Sequence, residues 1–183
     1  GDFYRDVAVL ALPLRGAAES PRVKVTASSS FQGSGGFPPS NATDGVESTR
    51  WISDGSKPGM GPRPGHPEHL QFDYDTPFTA AAVALVPFRD CGPKEVELQA
   101  SDDGKTFRTI CSFSVQPAKA MNAPLDKEVQ ASFFRVVFLS AYNYRGSSEP
   151  WNVQVSEVEL LAQGQKPGRS GTITDLAVKA GRA

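Results

Sequence analysis

Apolar and polar residues alternate along short segments of the chain, and turn residues separate these segments. The alternation is clear in Arg22–Ala27, His69–Asp75 and Asn152–Ala162, and a period of two predicts β-strands with one face in a core. Strands at this spacing favour an all-β fold, an antiparallel β-sandwich. Only Ala118–Val129 is predicted to form a helical turn. Further predicted strands are Val96–Ala100, Phe107–Val115 and Phe134–Leu139.

One connection between two of these strands can be predicted in detail. Its sequence is Ser101-Asp102-Asp103-Gly104-Lys105, in which aspartate side chains satisfy turn amides and the glycine provides a positive φ. We interpret Asp102 and Asp103 as turn residues and not as the paired carboxylates of a glycosidase.

The composition fits this fold and excludes several classes of function. Glycine and proline number 17 and 15 among 183 residues, above the roughly 12% that the two make up in an average protein, which indicates many turns. The net charge of -1 argues against nucleic acid as the main partner. No apolar run approaches the roughly 20 residues that span a bilayer. Two cysteines do not make a disulfide framework, and whether Cys91 bonds to Cys111 stays open.

Motifs of common enzyme classes are missing from the sequence. The chain has no nucleophile elbow, phosphate loop or dinucleotide fingerprint. His66 and His69 are the only histidines, too few for a catalytic zinc site, which needs three protein ligands. We therefore do not expect the chain to be an enzyme by itself.

The alternating segments define one domain from residue 22 to residue 162. Residues 1–21 hold the segment Phe3–Leu14, which is nearly all apolar in Val7–Leu12 and therefore needs cover on both faces. Residues 163–183 form a linker and a tail in which Thr172–Val178 could add a strand. We expect both ends to border a neighbouring domain. Inside the domain, Ser28–Arg50 and Asp54–Glu68 are long loops, and loops beyond about 12–15 residues are usually functional.

A group of oxygen-bearing residues stands in the first long loop. Asp44 lies on a tight turn before a glycine, and the carbonyls of Asn41 and Val46 could point to the same centre as Thr49. Converging hard oxygens of this kind are what Ca²⁺ requires. Glu157 interrupts an apolar strand far along the chain, and a buried carboxylate needs a partner. A cation held by the loop would provide that partner.

These residues are part of a longer pattern that resembles the discoidin, or coagulation-factor type C, family of galactose-binding-like modules. The pattern Asn-Ala-x-Asp-Gly-x-x-x-Thr-x-Trp-x-Ser begins at Asn41, and matching segments follow at Leu70–Tyr74, Val86–Asp90, Leu98–Gly104, Phe134–Val137 and Val155–Glu159. The resemblance spans residues 22–162 and implies an eight-stranded jelly roll with one structural calcium. The implied ligands are Asn41, Asp44, Val46, Thr49, Ser156 and Glu157, with main-chain oxygens from Asn41, Val46 and Ser156.

The resemblance also implies a sugar site in the loops of the sandwich. Sugar-binding members have an arginine where Arg89 stands, and its planar fork suits a diol or a carboxylate. An asparagine usually follows, whereas this chain has Asp90, so galactose itself is not implied. Aromatic residues of loop 140–151 could be either a platform for a sugar ring or a lid on the barrel end. The candidate sugar-binding residues are His66, His69, Arg89, Asp90, Tyr144 and Trp151.

Two further expectations concern the surroundings of this site. Trp51 follows the calcium loop and opens a strand, so we predict that it lies in the core. Basic residues outnumber acidic ones between Arg50 and His69. This balance suits an acidic polysaccharide, and it suits an ordinary solvated loop equally well.

The two ends of the chain, Phe3–Ala11 and Ile173–Leu176, resemble segments that border such modules in large bacterial α-L-rhamnosidases and related glycoside hydrolases. We therefore interpret the chain as a non-catalytic carbohydrate-binding module of a secreted or periplasmic glycoside hydrolase, with a polysaccharide and the catalytic domain as partners. One alternative is a sandwich that only braces the parent enzyme. Another is a discoidin-type adhesion domain whose Phe31, Phe37 and Met60 would insert into a membrane.

Overall fold

A computed structural model of the protein describes residues 21–33, 35–143 and 146–167. Its regular elements are antiparallel strands and two short 3₁₀ helices, Pro39–Ala42 and Arg89–Cys91. Within the described ranges, no helix has the length and apolar character needed to cross a membrane. The strands are β1 (Val23–Ala27), β2 (Trp51–Ile52), β3 (Glu68–Pro87), β4 (Glu95–Ser101), β5 (Arg108–Ser114), β6 (Met121–Phe138) and β7 (Gln154–Leu161).

Two long strands, β3 and β6, run through both layers of the sandwich. The hydrogen-bonded order is β2-β7-β3-β6-β4-β5, and β1 also pairs with β3. The first half of β3 pairs with β1 and the end of β6, whereas its second half pairs with β7 and the start of β6. A register shift between Asp73 and Phe78 marks the bend. The predicted antiparallel sandwich is confirmed, with seven strands in the described residues where the resemblance implied eight.

The inner faces of both layers pack into one apolar core. The buried side chains of β3 change from even positions, such as Leu70 and Phe72, to odd positions, such as Val83 and Leu85, across the register shifts. Trp51 is fully buried, with its ring centroid 5.6 Å from that of Phe138, so its predicted place in the core is confirmed. Burying one such large side chain contributes about 1.5–3 kcal/mol.

An irregularity in β7 sets up one end of the sandwich. Consecutive residues of β3 lie opposite Glu157 and Val155, so Ser156 is one extra residue in β7. Val155 and Val158 both belong to the core cluster, which the strict alternation of a regular strand would not allow. Such a bulge re-aims the side chains on either side of it, and here those side chains include Glu157.

The predicted turn after β4 is confirmed. The Asp103 carboxylate accepts hydrogen bonds from the backbone amides of Lys105 and Thr106 at 2.9 and 2.8 Å, and Gly104 has a φ of 69°. These amide donors, together with Ser101, lower the pKa of Asp103 to about 2. Asp103 therefore serves the turn, as its position in the sequence indicated.

The helical turn predicted within Ala118–Val129 is wrong for most of that segment. From Met121 onward the residues belong to β6, and their side chains alternate between half-buried and exposed. This half of β6 pairs with β3 alone among the described strands, so Pro124 can lie there without breaking a ladder on both sides.

Other expectations concern the cysteines and the chain ends. No disulfide joins Cys91 to Cys111 in the described part of the chain, and Cys111 lies opposite Leu98 in the β4–β5 pair. The strands predicted at Phe3–Leu14 and Thr172–Val178 lie outside the described residues.

Candidate functional site

The loop between β1 and β2 brings several oxygen atoms to one point. The helix Pro39–Ala42 contacts β1, β2 and β7, which fixes the start of this part of the loop. The hydroxyl oxygen of Thr49 lies 2.9 and 2.8 Å from the two carboxylate oxygens of Asp44, 2.8 Å from the carbonyl oxygen of Val46 and 3.3 Å from that of Asn41. A hydroxyl has only one hydrogen to donate. Most of these acceptors therefore receive no hydrogen from Thr49, although the Val46 amide donates to Oδ1 of Asp44 at 2.9 Å and the Thr49 amide donates to the Val46 carbonyl oxygen at 3.0 Å.

Glu157 reaches the same group of oxygens from the bulge in β7. Its Oε1 atom is buried and has no hydrogen-bond partner among the described residues. Burial, and then the neighbouring Asp44 carboxylate, raises the pKa of Glu157 to about 8. Two carboxylates from distant parts of the sequence thus share one environment. We call the group the oxygen cluster, and it consists of Asn41, Asp44, Val46, Thr49 and Glu157. Ser156 is buried beside Glu157 in the bulge, and its role as a ligand stays a prediction.

The oxygen cluster contains only two acidic side chains. Within the described ranges, no group of three or more His, Cys, Asp or Glu side chains is placed to hold a metal ion. A cation in the cluster would therefore depend on neutral carbonyl and hydroxyl oxygens for most of its ligands, which is chemistry that suits Ca²⁺ better than a transition metal.

A cleft of about 680 Å³ lies close to the oxygen cluster along the chain, because its residue Arg50 follows Thr49 and its residue Gln154 lies three residues before Glu157. Its aromatic wall residues are Phe31, Phe37, Phe88 and Trp151, and its charged residues are Arg50, Arg89 and Asp90. We call it the arginine cleft. Its mixture of rings and polar groups is typical of small-molecule sites.

Arg89 lies in the sharp turn that follows β3. Its φ of 51° is in the left-handed region, which costs a non-glycine residue about 1–2 kcal/mol. The turn is held by a hydrogen bond from the Ala118 amide to the Arg89 carbonyl oxygen at 3.0 Å. The side chain is exposed, with its guanidinium carbon 5.1 Å from the ring centroid of Phe88. Backbone strain of this kind tends to occur at functional sites.

Arg50 is held in a fixed position by three contacts. Its guanidinium carbon lies 4.0 Å from the ring centroid of Phe88 and 4.8 Å from that of Phe37, both within cation–π range. Its Nε donates to Oε1 of Gln154 at 3.1 Å, and Gln154 in turn donates to Oδ1 of Asn152 at 3.0 Å. The positive charge of Arg50 is therefore oriented before any ligand arrives.

Trp151 is positioned by the loop between β2 and β3. Gly55 has a φ of 149°, and a Cβ atom there would lie 1.9 Å from the Trp151 carbonyl oxygen. The Asn152 side-chain amide donates to the Gly55 carbonyl oxygen at 2.8 Å. The Trp151 indole N–H donates to the Ser147 hydroxyl at 3.1 Å. The close approach of the two loops thus fixes one aromatic wall of the cleft.

The structure brings together three of the six predicted sugar-binding residues. Arg89, Asp90 and Trp151 all line the arginine cleft. Tyr144 lies outside the described residues. His66 and His69 do not line the cleft, and their role in binding stays a prediction.

The two histidines occupy different surroundings. His66 is exposed and pairs with Arg63 in an isolated bridge. His69 lies in β3 opposite Val137, where burial, and then the nearby Arg135 guanidinium, lowers its pKa to about 4. His69 is therefore neutral at physiological pH.

Several residues of the cleft were missed in the sequence. Asn152 and Gln154 were assigned only to a strand, although each carries an amide that could bond a ligand. Phe31 and Phe37 were considered as membrane anchors, but both are half-buried and line the cleft, with ring centroids 6.3 Å apart. Only Met60 of that trio is exposed. The available signal was two phenylalanines in a loop otherwise rich in Ser, Gly and Pro.

Residues 24–153 match the F5/8 type C domain. The chain belongs to the F5/8 type C domain family. The resemblance to the discoidin, or coagulation-factor type C, modules is thereby confirmed over most of the range that the sequence indicated. None of the curated proteins compared with this F5/8 type C domain matches it.

Solved structures share the fold of this F5/8 type C domain at low identity. A CBM32 module from Clostridium perfringens, in complex with GalNAc-β-1,3-galactose, is 19% identical with a TM-score of 0.59, and the match covers 76% of this chain and 95% of that one. Chitosan-binding module 1 from a Paenibacillus chitosanase/glucanase is 20% identical with a TM-score of 0.60, over 78% and 97%. The CBM32 of AlyQ, in complex with 4,5-unsaturated mannuronic acid, is 20% identical with a TM-score of 0.57, over 75% and 93%.

Proposed function

We propose that this F5/8 type C domain is a non-catalytic carbohydrate-binding module and that the arginine cleft is its sugar site. The observation that carries the proposal is the meeting of guanidinium and amide groups with four aromatic rings in one cleft. Sugar hydroxyls need donors and acceptors of fixed geometry, and the C–H face of a sugar ring packs on aromatic rings. Structurally similar modules with bound GalNAc-β-1,3-galactose or mannuronic acid support the proposal.

We propose in addition that the oxygen cluster holds one structural Ca²⁺. Two observations support this fit: the buried Oε1 of Glu157 has no partner in the described residues, and four acceptor oxygens surround the single hydroxyl of Thr49. Calcium takes six to eight oxygen ligands, carbonyls among them. The bound ion would neutralise the carboxylates of Asp44 and Glu157 and so tie the loop before β2 to β7.

The proposed role of the module is to hold a polysaccharide close to a catalytic domain of a secreted or periplasmic glycoside hydrolase. Tethering raises the effective concentration of the polysaccharide without any chemistry in the module itself. The similarity of Phe3–Ala11 and Ile173–Leu176 to segments of large bacterial glycoside hydrolases supports this role.

Isothermal titration of the full chain against neutral, amino-sugar and acidic polysaccharides tests the proposal. We expect saturable binding to at least one of them, and we expect Trp151→Ala to weaken it by about 30-fold or more, as for a central aromatic contact of about 2 kcal/mol. Phe107→Ala is the matched control, because Phe107 packs on Arg135 outside the cleft. Absence of binding to every polysaccharide would contradict the proposal and favour the bracing role.

A further inference from the structure

Positively charged side chains outnumber negatively charged ones in the arginine cleft. Arg50 and Arg89 supply two positive charges, and Asp90 is the one acidic residue among the described residues that line the cleft. Asp90 also has a neighbour in the protein, since its Oδ1 accepts a hydrogen bond from the Cys91 thiol at 3.7 Å. The cleft therefore has a net positive charge, although the chain as a whole has a net charge of -1.

The two guanidinium groups are concentrated around one ring. Their central carbons lie 4.0 and 5.1 Å from the centroid of Phe88. Both positive charges therefore lie beside the same ring, and an anion bound next to this ring would be attracted by both. The contact of Arg50 with Phe37 and its hydrogen bond to Gln154 keep the first charge in place.

Arg89 has the geometry to contact such an anion directly. Its side chain is exposed at the cleft and makes no hydrogen bond or ion pair within the described residues. The strained turn at Arg89 gives this side chain its position at the end of β3. A guanidinium group binds a carboxylate through two parallel N–H···O bonds, a geometry that a single sugar hydroxyl cannot match.

We infer that the arginine cleft selects sugars that carry a carboxylate, the hexuronic acids, with Arg89 bonded to the carboxylate and Arg50 adding a fixed positive charge. The inference rests on the proposed function, since it names the class of sugar that the same cleft binds. The aromatic walls accept the ring of the sugar, and the guanidinium pair distinguishes an acid from its neutral counterpart.

The test compares sugars that differ only at the carboxylate. Oligomers of galacturonate, glucuronate and mannuronate are each titrated beside the methyl ester of the same oligomer. We expect at least one acid to bind about 10- to 100-fold more tightly than its ester, the range for hydrogen bonds to a charged group. The affinity for the acid should fall as the ionic strength is raised, because salt screens a partly exposed ion pair.

Two substitutions and one control locate the effect. Arg89→Gln should bring the affinities for acid and ester close together, whereas Asp90→Asn should strengthen binding of the acid by a few fold. Arg108→Gln should leave both affinities unchanged, because Arg108 lies on the β4–β5 hairpin and pairs with Asp102. Melting temperatures show that each variant is folded.

The possible results separate the inference from the proposed function. Equal or tighter binding of neutral sugars would overturn the inference and leave the carbohydrate-binding function intact. Failure of every sugar to bind would overturn both. An unchanged preference for the acid in Arg89→Gln would show that the carboxylate binds elsewhere and would also overturn the inference.

Discussion

The oxygen cluster and the arginine cleft share two segments of the chain, yet their chemistry is opposite. Thr49 belongs to the cluster and Arg50 to the cleft, and on β7 Glu157 belongs to the cluster and Gln154 to the cleft. The cluster gathers acceptor oxygens around one hydroxyl. The cleft gathers guanidinium and amide groups among aromatic rings.

The difference shows how two sites can share a framework while each needs a different partner. The cluster has two carboxylates whose burial is costly, so the Ca²⁺ that we propose there would stabilise the fold itself. The cleft is already stabilised by contacts such as that between Arg50 and Gln154, so its ligand is needed only for binding. We therefore expect changes to the cluster to alter stability first and changes to the cleft to alter affinity first.

The substitution Gly55→Ala should have the largest effect, because it disturbs the cleft through the backbone. The added Cβ would lie 1.9 Å from the Trp151 carbonyl oxygen, at a φ of 149°. We expect a loss of roughly 3 kcal/mol in the free energy of unfolding, together with loss of sugar binding. Gly65→Ala is the matched control, with a φ of 81° but no atom within 4 Å. Similar melting temperatures for both variants would contradict the proposed packing.

Removal of calcium should have the next largest effect and should act on stability. A ligand present at about 100 times its dissociation constant contributes about 2.7 kcal/mol, and about 2–4 °C is lost per kcal/mol in a domain of this size. We therefore expect a chelator to lower the melting temperature by roughly 5–10 °C. Magnesium should not restore it, since Mg²⁺ requires shorter, octahedral coordination. An unchanged melting temperature would remove the basis for a metal in the cluster.

The pH dependence of the metal-free chain gives a finer test of Glu157. Its pKa is raised to about 8 in the folded chain, so the folded state holds the proton that the unfolded state has lost, and the free energy of unfolding falls as pH rises toward 8. His69 has the opposite effect below pH 6.5, because its pKa is lowered to about 4. The free energy of unfolding should therefore show a net fall between about pH 6.5 and 8.

Chemical denaturation of the calcium-free chain and of the Glu157→Gln variant, at several pH values, measures this fall in the free energy of unfolding. The variant has no carboxylic acid at this position, so its stability should change little over the same range. With calcium present, the wild-type slope should disappear over this range, because the cation keeps Glu157 ionised in the folded state as it is in the unfolded state. If the calcium-free wild type and the calcium-free variant show the same dependence of stability on pH, a group other than Glu157 causes it.

The substitution Arg50→Gln should have the smallest effect on stability and a modest one on binding. It removes two cation–π contacts and the hydrogen bond to Gln154. We expect a loss of about 1–2 kcal/mol in stability and a several-fold loss of affinity. Calorimetry and sugar titration measure the two quantities, and Arg50→Lys serves as the charge-retaining comparison. A sugar affinity equal to that of wild type would place the ligand away from this side of the cleft.

Much of the fold could be predicted because it depends on the local alternation of apolar and polar residues. The period of two in β4 follows from one buried face and one more exposed face, and the β4–β5 turn follows from Asp103 and Gly104. The prediction of a helical turn before Val129 failed because that segment is half-buried at the edge of a layer and contains Pro124, so its strand pattern was weak. The long bends of β3 could not be predicted, since they depend on pairing with three other strands.

The candidate site was predicted only in part, for a similar reason. Glu157 was found because a carboxylate in an apolar strand is unusual, and Arg89 because the family pattern marks it. Arg50 was counted only as part of a basic loop, and nothing in its sequence neighbours indicates the rings of Phe37 and Phe88 around it.

The sequence by itself determined most of the strands, the turn at Asp103 and the membership of the chain in its family, since each depends on residues close together or on a fixed order of motifs. The tertiary structure decided which loop residues meet, including the contact of Arg50 with Phe88 and the approach of Gly55 to Trp151. The physical reason is that these contacts join distant segments, and their geometry follows from how β3 and β6 bend between the two layers.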